Sequence, residues 1–114
     1  MDDTPTAESP PESWIRVWLA DSGLPAPEVN GWICDPAGRP TYRGDLVYRP
    51  WRLIVEYEGA YHRQAEQYGR DLRRRNDLVA WGCRVVHLDA VALRSPAAVT
   101  SMVRVALQRQ GWRG

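Results

Sequence analysis

The sequence predicts an α/β domain in which a mixed central sheet is flanked by helices. Two short runs rich in Val, Ile, Leu and Tyr, at 44–48 and 52–59, flank a break that contains Pro50, as paired strands around a turn do. Helical apolar spacing before and after these runs, and a β-branched run that follows the second helical segment, complete the pattern. The predicted order is helix, three strands, helix, strand, helix. At 114 residues the chain has room for one domain, which we place at 9–114 after an acidic tail, 1–8, that we expect to be disordered.

The first predicted helix begins at Ser9, a favourable N-cap, with Pro10 at the first helical position. Apolar residues then recur at spacings of three and four, and Gly23 supplies a C-terminal stop. The residues of this face are Trp14, Ile15, Trp18 and Leu19. We expect the helix to pack this face on the sheet, and Trp14, Trp18, Trp32 and Trp81 to fill the core in place of Phe, which the chain lacks.

Three consecutive strands follow as an antiparallel meander. The segment from Glu28 to Cys34 is the first strand, and 35–40 is a turn rich in Pro and Gly. The second strand runs from Tyr42 to Tyr48 and the third from Arg52 to Glu58. The second and third therefore form a hairpin.

The pattern is helical from Gln64 to Trp81, where Tyr68, Leu72 and Val79 are expected to share the buried face. Arg84 to Leu88 is a short buried strand of the type that follows a crossover helix. Ser95 and Pro96 begin a last helix, whose apolar stripe runs from Val99 to Leu107. His87 lies on the buried strand and is expected to be structural.

Composition excludes some functions. All 15 basic residues are Arg, so a mechanism that needs a lysine ammonium is excluded. Four of the 14 acids lie in the first twelve residues, which leaves 10 acids against 15 arginines in the body of the chain. Cys34 and Cys83 form no metal-binding spacing and suggest free thiols. No apolar run is long enough to span a membrane and the N-terminus does not resemble a signal peptide, so we expect a soluble cytoplasmic protein without a membrane partner.

Three acids interrupt the predicted hairpin. Residues two apart on a strand share a face, so Glu56 and Glu58 project together. Asp45 lies about as far before the turn as Glu56 lies after it, so the hairpin should place these two opposite each other. Carboxylates this close repel unless a cation lies among them, and such oxygen ligands suit Mg²⁺ or Mn²⁺. The alternative is that the acids pair with Arg43, Arg52 or the arginines of the long helix.

These residues resemble a known family. An acid, a gap of about ten residues and an acid-x-acid at the end of the next strand are similar to the restriction-endonuclease-like PD-(D/E)XK nuclease superfamily. The resemblance is nearest to the branch that includes very-short-patch-repair (Vsr) endonucleases and the proteins grouped as domain of unknown function 559. It extends from about Glu12 to Leu107. Its motifs are Asp45-Leu46, the run from Val55 to Gly59 with Tyr61-His62, and the segment from Arg70 to Val86.

The resemblance implies a restriction-endonuclease-like core and assigns roles within it. Asp45 would be the first metal ligand and Glu56 the second acid. Glu58 stands where the superfamily most often has Lys, so it would be a further metal ligand or the general base. His62 would protonate the leaving oxygen or orient water; as an alternative, it is a surface histidine that caps the next helix.

Basic residues on and before the long helix could bind a nucleic-acid backbone. Arg63, Arg70, Arg73 and Arg74 would give the rim of the site a positive face. A solvated helix face with i,i+4 ion pairs explains the same residues. The sequence therefore predicts a Mg²⁺-dependent DNA endonuclease that acts as a homodimer or with a partner protein. The alternatives are a catalytically inactive nucleic-acid-binding or regulatory module on the same fold, and an RNA-directed nuclease.

Overall fold

The secondary structure follows the predicted order. The computed structural model describes residues 10–58 and 65–114, with side chains from residue 69 onward in the second range. The elements are α1 Pro10–Asp21, β1 Glu28–Cys34, β2 Pro40–Tyr48, β3 Leu53–Tyr57, α2 Ala65–Ala80, β4 Arg84–Leu88 and α3 Pro96–Arg109, with 3₁₀ turns at Arg49–Trp51 and Ala92–Arg94. The predicted tail, 1–8, and the N-cap Ser9 lie outside the described residues. No helix in the described part of the chain is long and apolar enough to cross a membrane.

The four strands form one mixed sheet in the order β1-β2-β3-β4. β1 pairs with β2 and β2 with β3 in antiparallel fashion, which confirms the meander. β4 pairs with β3 in parallel fashion, with Leu53 opposite Arg84 and Tyr57 opposite Leu88. A parallel neighbour requires a crossover connection, and α2 supplies it. The α/β class with a mixed sheet and flanking helices is therefore confirmed.

Helices cover the two faces of the sheet unequally. α1 and α3 pack on one face, where Ile15, Leu19, Val99 and Val103 meet the odd-numbered residues of β3, such as Val55. α2 lies on the other face, where the only buried apolar residues are Ile33, Val47, Ile54 and Leu78, among the described side chains. The main core therefore lies between the sheet and the α1–α3 layer.

The ends of the helices match their sequence signals. Gly23 follows α1 with a φ of 79° and Gly82 follows α2 with a φ of 78°, both in the left-handed region that glycine adopts without strain. The Ser95 hydroxyl accepts a hydrogen bond from the Ala98 amide at 3.3 Å, and Pro96 is the first residue of α3. The capping prediction for the last helix is confirmed.

Two of the four tryptophans predicted for the core are exposed. Trp18 and Trp81 pack against the two apolar clusters as predicted, whereas 53% of Trp14 and 44% of Trp32 are accessible to solvent. Ile15 and Leu19 occupy the contact between α1 and the core, so Trp14 lies outside this contact. Trp32 alternates with the buried Ile33, and its ring instead lies under the Arg43 guanidinium at 4.7 Å.

The prediction of which face of α2 is buried is also wrong. Leu72 and Val79 are exposed, and the side chain of Tyr68 lies outside the description. Residues 71, 74, 78 and 81 form the stripe that faces the sheet, so Asp71 and Arg74 occupy positions that an ordinary amphipathic helix gives to apolar residues. Apolar periodicity could not reveal this face because half of its members are charged.

Candidate functional site

Asp45 and Glu56 lie side by side on the face of the sheet that α2 covers. Leu46 pairs with Val55, and one further step in this register places Asp45 opposite Glu56. Oδ2 of Asp45 accepts a hydrogen bond from the backbone amide of Tyr57 at 2.9 Å. The cross-strand placement predicted from the sequence is therefore present, and the Asp45 carboxylate is held at the end of the β2–β3 ladder.

Glu58 joins this region from the residue after β3. Its amide donates to the carbonyl oxygen of Leu88 at 2.7 Å, which extends the β3–β4 pairing by one bond. Its Oε2 lies 2.6 Å from Nδ1 of His87. His87 is 43% exposed and lines the same cavity as the acids, so the expectation that its strand position buries it is wrong. The parallel register explains this position, because His87 lies directly beside Glu56 on the neighbouring strand.

All three predicted acids line one polar cavity of about 180 Å³. Its walls are the ends of β3 and β4 and the inner face of α2. Asp71, Arg75 and His87 also line the cavity and were not predicted from the sequence as site residues. The helical spacing from Asp71 to Arg74 and Arg75, once α2 is placed on the acidic face, is the signal that locates the two α2 residues. The parallel register of β3 and β4 locates His87.

Arg74 lies inside this cavity, where it pairs with an acid. Its Nη1 and Nη2 donate to the two carboxylate oxygens of Glu56 at 3.1 and 2.5 Å, and Nη2 also donates to the Arg43 carbonyl oxygen at 2.9 Å. Only 22% of the Arg74 side chain and 16% of the Glu56 side chain are exposed. The ion pair with an arginine of the long helix, left open by the sequence, is present at Glu56.

Burial and charge act in opposite directions on Glu56. Burial raises the pKa of this carboxyl above its usual value, and the negative charge of Asp45 raises it further. The hydrogen bonds and positive charge of Arg74 lower the pKa but do not compensate for the burial. Asp45 and Glu56 are thus close enough to repel each other, which is the electrostatic situation that a bound cation relieves.

The donor atoms of the cavity suit a hard divalent cation, but their present arrangement does not. Carboxylate oxygens are the preferred ligands of Mg²⁺ and Mn²⁺. Within 10–58 and the described side chains of the second range, however, no three His, Cys, Asp or Glu side chains are grouped so that they could hold one ion. Both oxygens of Glu56 face Arg74. Exchange of Arg74 for a cation would free both oxygens of Glu56 to bind that cation together with Asp45.

The remaining predicted residues fall into two groups. His62 and Arg63 lie outside the described residues. Arg70 and Arg73 are exposed on the outer side of α2, where they line a separate groove of about 380 Å³ with Tyr42, Asn76 and Asp77. The structure thus separates these two arginines, which are accessible to a ligand, from Arg74, which is engaged inside the cavity.

The arrangement is a mixed sheet with an acidic cavity at the end of its central hairpin. No family model matches the chain. The curated proteins and the solved structures contain no match to it either.

Proposed function

We propose that this protein is a metal-dependent endonuclease that hydrolyses DNA phosphodiester bonds, on a core of the restriction-endonuclease-like type. The observation that carries the proposal is the convergence of Asp45, Glu56 and Glu58 on one polar cavity. The element order around the cavity, with the acids on the second and third strands and a crossover helix after them, supports the resemblance. Asp45 and Glu56 are the acids most suited to hold Mg²⁺ or Mn²⁺. Glu58 would become a third ligand only after a rearrangement, because the three acids are not grouped around one point in this structure.

The charged groups of the cavity suit phosphodiester hydrolysis. When bound, a divalent cation supplies positive charge to the scissile phosphate and lowers the pKa of a water molecule. Glu58 holds His87 through Nδ1, so an imidazole lies beside the acid that replaces the usual lysine of the resembled superfamily. His87 and Glu58 together are the groups of this chain that can orient or deprotonate the attacking water.

Arg74 stabilises the cavity without a cation. It provides the positive charge that the largely buried Glu56 requires, and the Arg43 carbonyl oxygen fixes its position. Exchange of Arg74 for a cation would release the guanidinium at the edge of the same cavity. A planar guanidinium there can contact phosphate oxygens with two parallel hydrogen bonds.

The accessible arginines indicate where a nucleic-acid backbone would lie. Arg70 and Arg73 project from the outer side of α2, and Arg75 lines the cavity itself. A strand that crosses α2 would meet these side chains on its way to the acids, and each phosphate contact would make binding weaker at high salt. Base-specific contacts are not part of the proposal, and an RNA strand would satisfy the same phosphate contacts.

A second candidate is a nucleic-acid-binding module without catalysis on the same fold. The bidentate pair of Arg74 and Glu56 favours it, because this pair already neutralises one of the three acids. In this case the acids would hold α2 against the sheet, and the outer arginines would carry the function. Metal-dependent cleavage separates the two candidates.

The test is a cleavage assay on plasmid DNA, single-stranded DNA and RNA in Mg²⁺ or Mn²⁺. Asp45→Asn keeps an oxygen that can accept from the Tyr57 amide but removes the charge. Asp21→Asn, at an exposed acid that ends α1, is the matched control. We expect DNA cleavage by the wild type and by Asp21→Asn, and its loss in Asp45→Asn.

Two results would change the assignment. Binding of DNA without cleavage of any substrate by the wild type would contradict the enzyme and support the binding module. Metal-dependent cleavage of RNA but not of DNA would retain the site and replace the substrate.

A further inference from the structure

One edge of the sheet is open. β4 has β3 as its only strand neighbour among the described residues. Arg84 donates to the Arg52 carbonyl oxygen at 2.9 Å, and Leu88 accepts from the Glu58 amide at 2.7 Å. Backbone groups alternate in direction along a strand, so Val85 and His87 direct their N–H and C=O groups away from β3. These four groups form a ready template for one more strand.

The opposite edge of the sheet is built differently. The β1–β2 register shifts between Ile33 and Cys34, and Asn30 has a φ of 50°. Arg49 also covers the outer strand, because it donates to the Trp32 carbonyl oxygen at 2.7 Å. Bulges, kinks and covering side chains prevent the addition of further strands. β4 pairs regularly along its whole length and has no such device among the described residues.

Apolar side chains flank the open edge on both sides. Val79 of α2 is 70% exposed, and Met102 and Val105 of α3 are 47% and 44% exposed. These residues line two grooves of about 460 and 560 Å³, which lie on the α3 side and the α2 side of β4. A strand added to β4 would place alternate side chains in the two grooves.

The charges around the edge select the occupant. Arg75, Arg84 and Arg109 line the two grooves, and no Asp or Glu is among the described residues that line them. A second copy of this chain paired through β4 would bring two such sets of arginines together. Like charges at an interface are unfavourable, so the edge is a poor surface for a homodimer.

We propose that the β4 edge binds an extended, acidic segment of a partner protein by addition of a strand to the sheet. The segment would exchange hydrogen bonds with Val85 and His87, insert apolar side chains beside Val79 and Met102, and pair its acids with the arginines. A nucleic-acid backbone could accept from the two N–H groups, but its phosphates would be repelled by the two C=O groups at the same edge. A peptide strand satisfies both kinds of group.

The proposal does not depend on the nuclease function, although Arg75, Val85 and His87 line both the acidic cavity and the groove on the α2 side of β4. The backbone of His87 belongs to the open edge, whereas its imidazole contacts Glu58 in the acidic cavity. A segment bound at β4 would therefore cover one wall of that cavity. The binding can nevertheless be measured in the absence of divalent cations and of nucleic acid.

The test uses the full chain and a fluorescent peptide of about nine residues in which pairs of Val alternate with pairs of Glu, so that each face of the added strand carries both residue types. The matched peptide carries Lys in place of Glu. We expect the acidic peptide to bind and the basic one not to bind, by fluorescence anisotropy. Hydrogen exchange of the Val85 and His87 amides, measured by NMR, should slow on binding, whereas exchange of the Val86 amide should change little because it faces β3.

Two variants separate the backbone and charge contributions. Val85→Pro removes one outward N–H, a change that edge strands tolerate, and should abolish peptide binding. Arg109→Glu should weaken binding about tenfold or more, while Arg94→Glu, at an exposed arginine outside both grooves, should leave it unchanged. Circular dichroism melting curves identify any variant that has lost its fold, and Arg109→Glu keeps the test independent of Val85→Pro.

Three results would overturn the proposal. Equal binding of the two peptides would remove the charge selection. Slower exchange of the Val85 and His87 amides at higher protein concentration, without peptide, would assign the edge to a second copy of the chain. Protection of these amides by an oligonucleotide but not by the acidic peptide would assign it to nucleic acid.

Discussion

Arg74 and Glu56 face each other across the acidic cavity as a bidentate pair, with N–O distances of 3.1 and 2.5 Å. The pair joins α2 to β3 and is mostly shielded from solvent. A shielded charge that loses its partner is costly, because neither water nor another side chain replaces the lost interaction. The same carboxylate can therefore be stabilised by a guanidinium or by a cation, and the two should compete.

Arg74→Gln should lower the free energy of unfolding by about 2 to 3 kcal/mol in EDTA, since it leaves Glu56 without its cation. Addition of Mg²⁺ or Mn²⁺ should restore part of this loss. Arg73→Gln, at the exposed neighbour on the same helix, should change stability by less than about 0.5 kcal/mol in either condition. Urea denaturation followed by circular dichroism measures each difference. Equal losses for the two variants would show that the pair does not stabilise the fold.

Glu56→Gln should alter how stability depends on pH. Burial and Asp45 raise the pKa of Glu56 in the folded state above its ordinary value of 4.5, so the folded protein binds a proton more tightly than the unfolded chain. The contribution of Glu56 to stability is therefore greatest below the unfolded pKa and falls as pH rises through the folded pKa. Urea denaturation from about pH 4 to about pH 8 in EDTA should show a wild-type minus Glu56→Gln difference that declines with pH. A difference that increases with pH would mean that the ion pair with Arg74 outweighs burial and Asp45 in setting the pKa of Glu56.

Tyr48→Phe should stabilise the protein by about 1 kcal/mol. Tyr48 is 1% exposed, burial raises the pKa of its phenol, and its hydroxyl has no hydrogen-bond partner among the described residues. Phe keeps the ring and removes the unpaired polar group. Tyr42→Phe is the matched comparison with the opposite expected effect, because the Tyr42 hydroxyl donates to Asp77 at 2.6 Å. Loss of this hydrogen bond should lower the free energy of unfolding by about 1 kcal/mol. Thermal unfolding curves should shift in opposite directions for the two variants.

Gly44→Ala should lower stability by about 1 to 3 kcal/mol. A Cβ atom at this position would lie 2.8 Å from the Ile54 side chain and 3.0 Å from that of Val47, both of which are buried. Gly69→Ala, within α2, meets nothing nearer than 3.8 Å and should instead raise stability by about 0.5 to 1 kcal/mol. Differential scanning calorimetry measures whether each variant unfolds at a lower or a higher temperature than the wild type. An unchanged unfolding temperature for Gly44→Ala would show that β2 shifts freely beside Asp45.

Strand alternation and turn signals predicted most of the fold. The hairpin placed Asp45 beside Glu56, and the cap at Ser95 with Pro96 placed the start of α3. Exposure was harder to predict. A wide apolar helical stripe does not specify which of its members contacts the sheet, as Trp14 shows, and Trp32 is exposed because it alternates along β1 with the buried Ile33. The sequence shows how much apolar area a side chain has to bury but not where the side chain lies in a contact. A large side chain at the rim is therefore indistinguishable in sequence from one at the centre.

The acids of the site were predictable, but their partners were not. Asp45, Glu56 and Glu58 stand out because carboxylates interrupt apolar strands. Arg74 and His87 do not stand out, since each belongs to an element whose face is fixed only by tertiary packing. Arg74 resembles its exposed neighbours Arg73 and Arg75 in sequence, and only the rotation of α2 against the sheet selects it.

The polar inner face of α2 has a consequence for motion. Leu78 is the one deeply buried apolar side chain in its described turns, whereas the α1–α3 layer holds most of the core. Detachment of its described turns would expose Leu78 and, on the sheet, Ile33, Val47 and Ile54, which form a smaller apolar cluster than the α1–α3 core that stays intact. This helix is therefore a candidate for sub-global opening as a separate unit. Such an opening would admit solvent and solutes to the acidic cavity without global unfolding. Amide hydrogens of α2 should then exchange by a route of lower free energy than those of β3 and α3.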